Sequence, residues 1–497
     1  MASSSVAEFL RTSQGLSGRT ISGVALAVAL YCLCTVIYRL YFHPLAKHPG
    51  PLLAKVTKWY MAYFMFQGRA TQKRYELFVK YGEVTRVAPN ELQFCDLKSV
   101  KEIYGQGSTM PIKDAEFYNP FSVSGHPNIL SSSEKTEHSR IRRLLSHAFS
   151  YKNVLNFEPR VISKVEQFIQ IIGKTESPID IYHTIHHLYL DTISDLSFDQ
   201  SFGCLQGHIV DEATAAEKTL MITAMKGQLP FIEWVPLEFI RDAVKARPRI
   251  IKFATACVQD LRSRILNGKA SDTSLLERMM KSNDKGDSLS EAELVENAII
   301  FLQAGAGTSH LTLIYLMWHV HQNPQVLERL VREIRTTFPD TSVFPDFKTL
   351  DALPYLETVW NEVLRLRAPL AGNLPRISPG KNIGGEYVPE GVNVSNMSYC
   401  THRHASIFPD PLKFDPDRWC DPTPEMKTML RPFSIGPRSC IGMHLAKLQV
   451  YLTVAAIYQR YDVSIDSSMS EEMMQVEDRG ILLPQKKEFR VKFKPRQ

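Results

Sequence analysis

Ten consecutive residues near the C-terminus, Phe433-Ser434-Ile435-Gly436-Pro437-Arg438-Ser439-Cys440-Ile441-Gly442, have the types needed to present a thiolate. A lone cysteine ends a turn-rich segment, and an apolar helix is predicted to follow from Ile441 to Tyr458. A cysteine at a helix N-terminus points its sulfur at unpaired amide N–H groups and at the positive end of the helix dipole, and both favour thiolate over thiol. Each neighbour has a matching use. Phe433 can pack against a flat cofactor, and Gly436 can take a backbone conformation closed to other residues. Arg438 can pair with a carboxylate, and Gly442 lets the new helix lie close to a planar group. The plain alternative is a buried structural cysteine beside a glycine turn. Agreement of four residue types at fixed spacing counts against it.

A second chemical stretch is Ala304-Gly305-Ala306-Gly307-Thr308-Ser309, at the centre of a long helix predicted over Ser288–Gln322. Glycine inside a helix costs roughly 1 kcal/mol relative to alanine. Gly305 and Gly307 therefore point to a use: close approach to a flat cofactor, and a local widening where O2 and water can sit. Thr308 places a hydroxyl at that point. A third stretch is Glu362-Val363-Leu364-Arg365, where carboxylate and guanidinium lie three residues apart on one helix face. A surface pair of this kind is worth little, but the apolar flanks Val359, Trp360, Val363, Leu364 and Leu366 predict burial.

The pattern Phe-x-x-Gly-x-Arg-x-Cys-x-Gly resembles the haem-binding signature of the cytochrome P450 (haem-thiolate monooxygenase) superfamily. Ala304–Thr308 resembles that family's oxygen-activation motif, with one departure: Gly307 stands where the acid of the usual proton relay is expected. Glu362 and Arg365 resemble the family's Glu-x-x-Arg, which locks onto an arginine of the meander, here Arg418 in Phe414-Asp415-Pro416-Asp417-Arg418-Trp419. Leu374-Pro375-Arg376 resembles the strand whose arginine reaches a haem propionate. The family usually has Trp-x-x-x-Arg near residue 140. This chain has His138 and Arg142, four apart on one face, and an imidazole N–H can replace the indole donor. The landmarks fall in family order over roughly residues 45–497. The resemblance implies a single large domain, mainly α with small β-sheets, and haem b (iron protoporphyrin IX) with Cys440 as the axial ligand of the iron.

The elements that must position these residues are legible in outline. After residues 1–20, small, polar and expected to be disordered, Ile21–Tyr38 carries no charge and predicts a transmembrane anchor over 21–43. A cleaved signal peptide is the alternative. Arg39, Lys47, Lys55 and Lys58 follow the span, against Arg11 and Arg19 before it, which predicts a cytosolic catalytic domain over 44–497. A Pro-Gly-Pro neck at Pro49–Pro51 is similar to filamentous-fungal microsomal members of the family, implying a single-pass protein of the endoplasmic reticulum. Helix, two strands (Glu83–Val87, Glu91–Cys95) and helix are predicted over 70–105. An aromatic loop with Phe117, Tyr118 and Phe121 precedes a helix over Glu134–Phe149, with Ser131–Ser133 as capping residues. Leu229–Leu237 reads as an apolar flap dipping into a membrane interface or as a hydrophobic turn packed on the core. Ala371–Asn373 and the Val476–Leu482 hairpin are expected to face a substrate.

Composition sets limits. With 497 residues, 44% of them hydrophobic, the chain can bury a large core, and a net charge of +6 is too mild for a nucleic-acid surface. The eight cysteines show no metal spacing and no disulfide framework, which suits a reducing compartment. The resemblance implies NADPH electrons delivered by a membrane-bound flavoprotein reductase, docked on a basic face around Arg143, Lys427 and Lys447. It also implies oxidation of a lipophilic small molecule, of the kind met in fungal secondary metabolism. Two other readings stay open: a haem-thiolate isomerase or dehydratase that rearranges a peroxide without a reductase, to which Gly307 lends weight, and a haem sensor or carrier. Thr308 and the uninterrupted Phe433–Cys440 loop count against the first, and a long gated cavity helix with a placed threonine serves no purpose in the second.

Overall fold

The computed structural model describes residues 18–496 apart from 108, 176, 229–231, 270–273, 281–285 and 287. Most of the expected disordered N-terminus, and Leu229–Phe231 of the expected flap, lie outside those residues. Helix α1 (Gly18–Ile37) continues into a single π turn, Tyr38–Phe42. The span Ser22–Phe42 is apolar, with none of it buried in the molecule. Its C-terminal end is tied down: Arg39 Nη1 donates to the Val56 carbonyl (2.6 Å), and Arg86 Nη1 donates to the Arg39 carbonyl (2.8 Å). Leu45 is already in the core, packed with Leu92, Phe94 and Val394.

Helices α2 (Trp59–Phe66) and α3 (Ala70–Tyr81) lead into strands β1 (Val84–Ala88) and β2 (Glu91–Phe94), then helix α4 (Leu97–Tyr104) and a two-residue strand β3 (Ile112–Lys113). The helical middle follows: α5 (Lys135–Ser146), α6 (Glu158–Ile172), strand β4 (Ile179–Asp180), α7 (Tyr182–Phe198), α8 (Asp211–Gln228), α9 (Glu238–Leu266), α10 (Glu291–Gly305), α11 (Gly307–Gln322) and α12 (Pro354–Arg367). Strands β5 (Arg376–Ile383) and β6 (Glu386–Asn396), helix α13 (Met443–Arg460) and strands β7 (Tyr461–Ile465), β8 (Val476–Asp478), β9 (Leu482–Pro484) and β10 (Arg490–Pro495) complete the chain. The main sheet has the order β1-β2-β6-β5-β3, with β2 and β6 parallel and the other pairs antiparallel.

The long helix expected over Ser288–Gln322 is α10 and α11, broken at Ala306 between the two glycines. Its start is fixed by a capping box: the Ser290 hydroxyl accepts from the Glu293 N–H, and the Glu293 carboxylate accepts from the Ser290 N–H. Helix α7 packs along both halves, α8 and α9 cover α10, and α12 and α13 cover α11. Such a helix is apolar all round because it is enclosed all round; its hydropathy would let it pass for a membrane span, yet it is 83% buried.

Helix α5 corrects one expectation. Its N-cap position is Glu134, and no side chain caps it. Ser131 Oγ instead accepts from the Asn128 N–H, and the Ser132 and Ser133 carbonyls accept from Arg438. Ser132 and Ser133 serve the thiolate loop, and Ser131 its own turn, rather than the helix.

Candidate active site

The thiolate loop is shaped by its backbone. Gly436–Arg438 forms a 3-10 turn, and the Cys440 N–H closes the loop onto the Phe433 carbonyl (2.8 Å). Gly436 has φ of 71°, and a Cβ there would lie 2.2 Å from the Tyr104 carbonyl oxygen, so only glycine fits. Gly442 is the N-cap of α13, placing Cys440 just ahead of the helix as expected. Arg142 donates to the Ser439 carbonyl (2.6 Å) and Ser439 Oγ (3.2 Å), holding the residue next to the cysteine. Phe433 lies near-parallel to Trp360, centroids 6.3 Å apart, which anchors the start of the loop to α12.

Cys440 has accessible surface, yet it lies deep in the fold, so that surface belongs to an internal cleft. Burial pushes its thiol pKa up; the Gly442 N–H and the Arg142 charge oppose this without overcoming it. The amide N–H at the helix N-terminus favours thiolate as expected, but burial outweighs it. Desolvation wins, and a metal cation is what deprotonates a thiol in such a place.

Near the loop, buried and half-buried basic side chains converge. Lys113, His138, Arg142, Arg376 and Arg438 act electrostatically on one another. Burial, then Arg438, Arg376 and Arg142, holds Lys113 well below the usual lysine range. Burial, then Arg438 and Lys113, lowers His138 to about 3, so its imidazole is neutral. Burial, then Arg376, lowers Arg438 to about 10. The hydrogen bonds of these groups go to neutral oxygens. Lys113 Nζ reaches the Leu130 carbonyl (2.6 Å), Arg376 Nη1 the Tyr118 hydroxyl (2.8 Å) and Pro375 carbonyl (2.9 Å), and Arg438 the Ser132–Glu134 carbonyls. Among the described residues no ion pair is recorded for any of the five. No carboxylate among the described residues forms an ion pair with Arg438, although Glu134 acts on it electrostatically.

Lys113 escaped the sequence reading. It sits on the two-residue β3, directly across from Arg376 on β5. A strand that short has no periodicity to detect. The one available signal was a lysine just before the aromatic loop whose Tyr118 it covers at 4.7 Å.

The distal side is α10–α11. Thr308 Oγ1 donates to the Ala304 carbonyl (2.8 Å), leaving its oxygen lone pairs as acceptors. Thr308 and Ala304 line a mostly apolar cavity of about 1380 Å³, counting its open mouth, together with Phe117, Tyr118, Phe121, Gly372, Asn373 and the Asp478–Ile481 turn. The aromatic loop and both expected substrate-facing segments therefore reach it, although Ala371, Val476 and Leu482 are buried behind it. The expectation for Gly305 is corrected. A Cβ there would lie 2.7 Å from Ile193 Cγ1 on α7, so this glycine serves helix–helix approach and not a cofactor face. Gly307 is buried, and no side chain fills the acid position.

The Glu362–Arg365 pair is fully buried and bidentate at 2.8 Å on both bonds. Glu362 also accepts from Arg418 Nε (3.1 Å), Trp419 Nε1 (2.9 Å) and the Asp415 N–H (2.9 Å). Arg365 donates further to the His402, Pro411 and Lys413 carbonyls. His402 passes the link on: Nδ1 bonds the Arg365 carbonyl (3.1 Å) and Nε2 accepts from the Arg431 N–H (2.9 Å), at the root of the thiolate loop. The basic docking face fares differently. Arg143 and Lys427 are exposed, but Lys447 is bonded to Asp351 (2.7 Å) and Glu357 (2.6 Å), so its charge is spent inside the chain.

A cysteine loop ahead of one helix, a long glycine-broken helix over a cavity and a Glu-x-x-Arg lock define a haem-thiolate enzyme. Residues 51–493 match the cytochrome P450 family, and the chain belongs to it. It is a monooxygenase by that membership. Among its relatives, cytochrome P450 monooxygenase poxM of Penicillium oxalicum is 30% identical, covering 89% of each chain. Cytochrome P450 monooxygenase astJ of Aspergillus oryzae is 33% identical, over 88% of this chain and 90% of that one. The averantin hydroxylase of Dothistroma septosporum is 31% identical over 98% and 94%. The cytochrome P450DA haem domain has the same fold, with a TM-score of 0.76 at 20% identity, covering 88% of this chain and 95% of that one.

The family implies a haem-iron cofactor, and the residues fit one. Cys440 offers the soft sulfur ligand, and the cation cluster offers donors without a carboxylate of their own, which suits two propionates.

Proposed function

We propose that this chain is a membrane-anchored, reductase-fed monooxygenase that oxidises a lipophilic small molecule of fungal secondary metabolism, with haem b as its cofactor. The observation that carries this reading is the pairing of the Cys440 loop with a largely buried basic cluster beside it, together with a Thr308-lined apolar cavity. When bound, the haem supplies O2 activation and the insertion of one oxygen atom into the substrate. The chain's own residues do the rest. Cys440 ligates the iron while Arg142 fixes the adjacent Ser439. Lys113, His138, Arg142, Arg376 and Arg438 bind the propionates. The apolar cavity holds the substrate against α10–α11 and excludes bulk water. Thr308 holds a water through its lone pairs, and because Gly307 brings no acid, protons reach that water through ordered solvent or a substrate hydroxyl. His310 takes no part: it faces Tyr182 at a ring distance of 4.4 Å on the α7 side.

Relatives named monooxygenases and a hydroxylase favour hydroxylation. The exposed α1, with exposed Tyr41, Phe42, Leu52, Leu53 and Trp59 beside it and Trp234 in the flap, supports single-pass anchoring at the endoplasmic reticulum with a cytosolic catalytic domain over 44–497. Cys440→His should abolish the red-shifted Soret band of the reduced carbonyl complex; a retained band would exclude Cys440 as ligand. Thr308→Ala should lower product per NADPH and release peroxide with substrate binding near normal. Unchanged coupling would show that the substrate supplies the protons. Gly307 alone favours the peroxide-rearranging reading, and product formed without NADPH or reductase would establish it.

A further inference from the structure

One wall of the cavity is unlike the rest. Where α3, the loop before β5 and the β8–β9 turn meet, the apolar lining gives way to Thr71, Arg74, Asn373, Asp478 and Arg479. Arg74 donates to Glu91 Oε1 (2.8 Å) and, at the long distance of 3.5 Å, to Gln93 Oε1. Glu91, behind the wall, also accepts from Asn373 Nδ2 (3.2 Å), so one carboxylate orients both lining groups. The Arg74 and Glu91 side chains are only 5% and 10% exposed.

An ion pair buried beside an apolar cavity does little for stability, because desolvation offsets its attraction. Its geometry fits recognition. A guanidinium carries five N–H donors, and the bonds to Glu91 and Gln93 leave donors to spare on the cavity side. The amide of Asn373 adds a second polar group, with Oδ1 unpartnered. The two cations on this wall are already matched. Arg74 is neutralised by Glu91 and Arg479 by Glu477. Asp478 accepts from the Thr71 N–H (3.1 Å) and hydroxyl (2.6 Å) and from the Gly480 N–H (3.1 Å), and its negative charge repels a second anion.

Resting on the monooxygenase reading, we propose that this wall binds an uncharged oxygen of the substrate, a hydroxyl or carbonyl, and fixes which carbon faces Thr308. The substrate class is then a neutral, mostly hydrocarbon molecule with an oxygen function already installed. The preceding step in its formation is an oxygenation, a hydration or a release from a thioester, and this enzyme acts at a second position. A site built to bond such a group rejects the analogue lacking it, because its own polar groups are left unpaired.

The test uses the full-length protein and four probes with one carbon chain: dodecane, 1-dodecanol, dodecanoate and dodecyltrimethylammonium. Binding is read by the spin-state shift of the Soret band and, in parallel, by tryptophan fluorescence quenching, which needs no haem. The carbonyl spectrum of each preparation reports separately on the haem-thiolate assignment. 1-Dodecanol should bind about tenfold or more tighter than the other three probes. In the Arg74→Met/Glu91→Leu double variant, and in the milder Asn373→Leu, that margin should fall to about twofold or less. Equal binding of dodecane and dodecanol, tighter binding of either ion, or an alcohol preference that survives both variants would overturn the proposal.

Discussion

Two buried charge clusters lie within the same fold, and they are wired in opposite ways. Around Glu362 every charge has its partner inside the chain: one carboxylate takes two arginines, an indole N–H and a backbone N–H, and Arg365 spends its remaining donors on three carbonyls. Around Arg438 most of the charges are positive, and burial and mutual repulsion depress them; Glu134 acts in the opposite sense but forms no recorded ion pair with them among the described residues. A cluster that satisfies itself holds the fold together. A cluster of mostly basic groups bonded to neutral oxygens suits an anionic partner, and the haem that the family implies carries two carboxylates. Burial alone does not separate structural from functional charge; the balance of signs does.

The comparison can be broken most forcefully at Glu362. Glu362→Ala leaves Arg365 buried without a counter-charge and Arg418 with only Asp415 at 4.0 Å, and should cost about 3–5 kcal/mol of stability. Expression should yield mostly aggregated or haem-free protein. A near-native urea midpoint with full haem content would show that the cluster is dispensable.

Lys113→Met should act in the opposite sense on the two states. Without haem it removes a like charge, so the urea midpoint should rise, by on the order of 1 kcal/mol. With haem it removes a charged donor, and haem loss to an acceptor globin should quicken by about tenfold. Destabilisation of both states would place Lys113 with the structural cluster.

The smallest effect is one of pH. His138 has its folded pKa lowered to about 3, against an ordinary value of 6.5. Below pH 6.5 the unfolded chain gains a proton there that the folded haem-free chain refuses, so stability falls as pH drops from 6.5 towards 3. His138→Gln should flatten the acid limb of a haem-free stability profile in that window. Bound propionates should raise the His138 pKa and shrink the difference. Profiles that superimpose with and without the histidine would remove His138 from the cluster.

The particulars show where sequence stops being enough. Glu362 and Arg365 were legible because an i,i+3 pair on an apolar helix is fixed by helix geometry within one turn. The same holds for Cys440 ahead of its helix, and for Thr308 near a glycine-broken centre, where composition dictates the backbone directly. Helices and strands over 70–105 fell within a residue or two of expectation for this reason. The partners were another matter. That the Ser132 and Ser133 carbonyls serve Arg438, that Arg142 holds Ser439, that Lys113 lies opposite Arg376 and that Gly305 meets Ile193 all depend on segments far apart in the chain. The thiol pKa belongs to that second group as well: the helix N-terminus is written in the sequence, but the desolvation that outweighs it comes from the whole fold closing over Cys440. By itself the sequence determined which side chains are present and how each helix and loop is bent. Only the tertiary structure decided which charges meet, because charge balance and burial are sums over neighbours that local spacing does not specify.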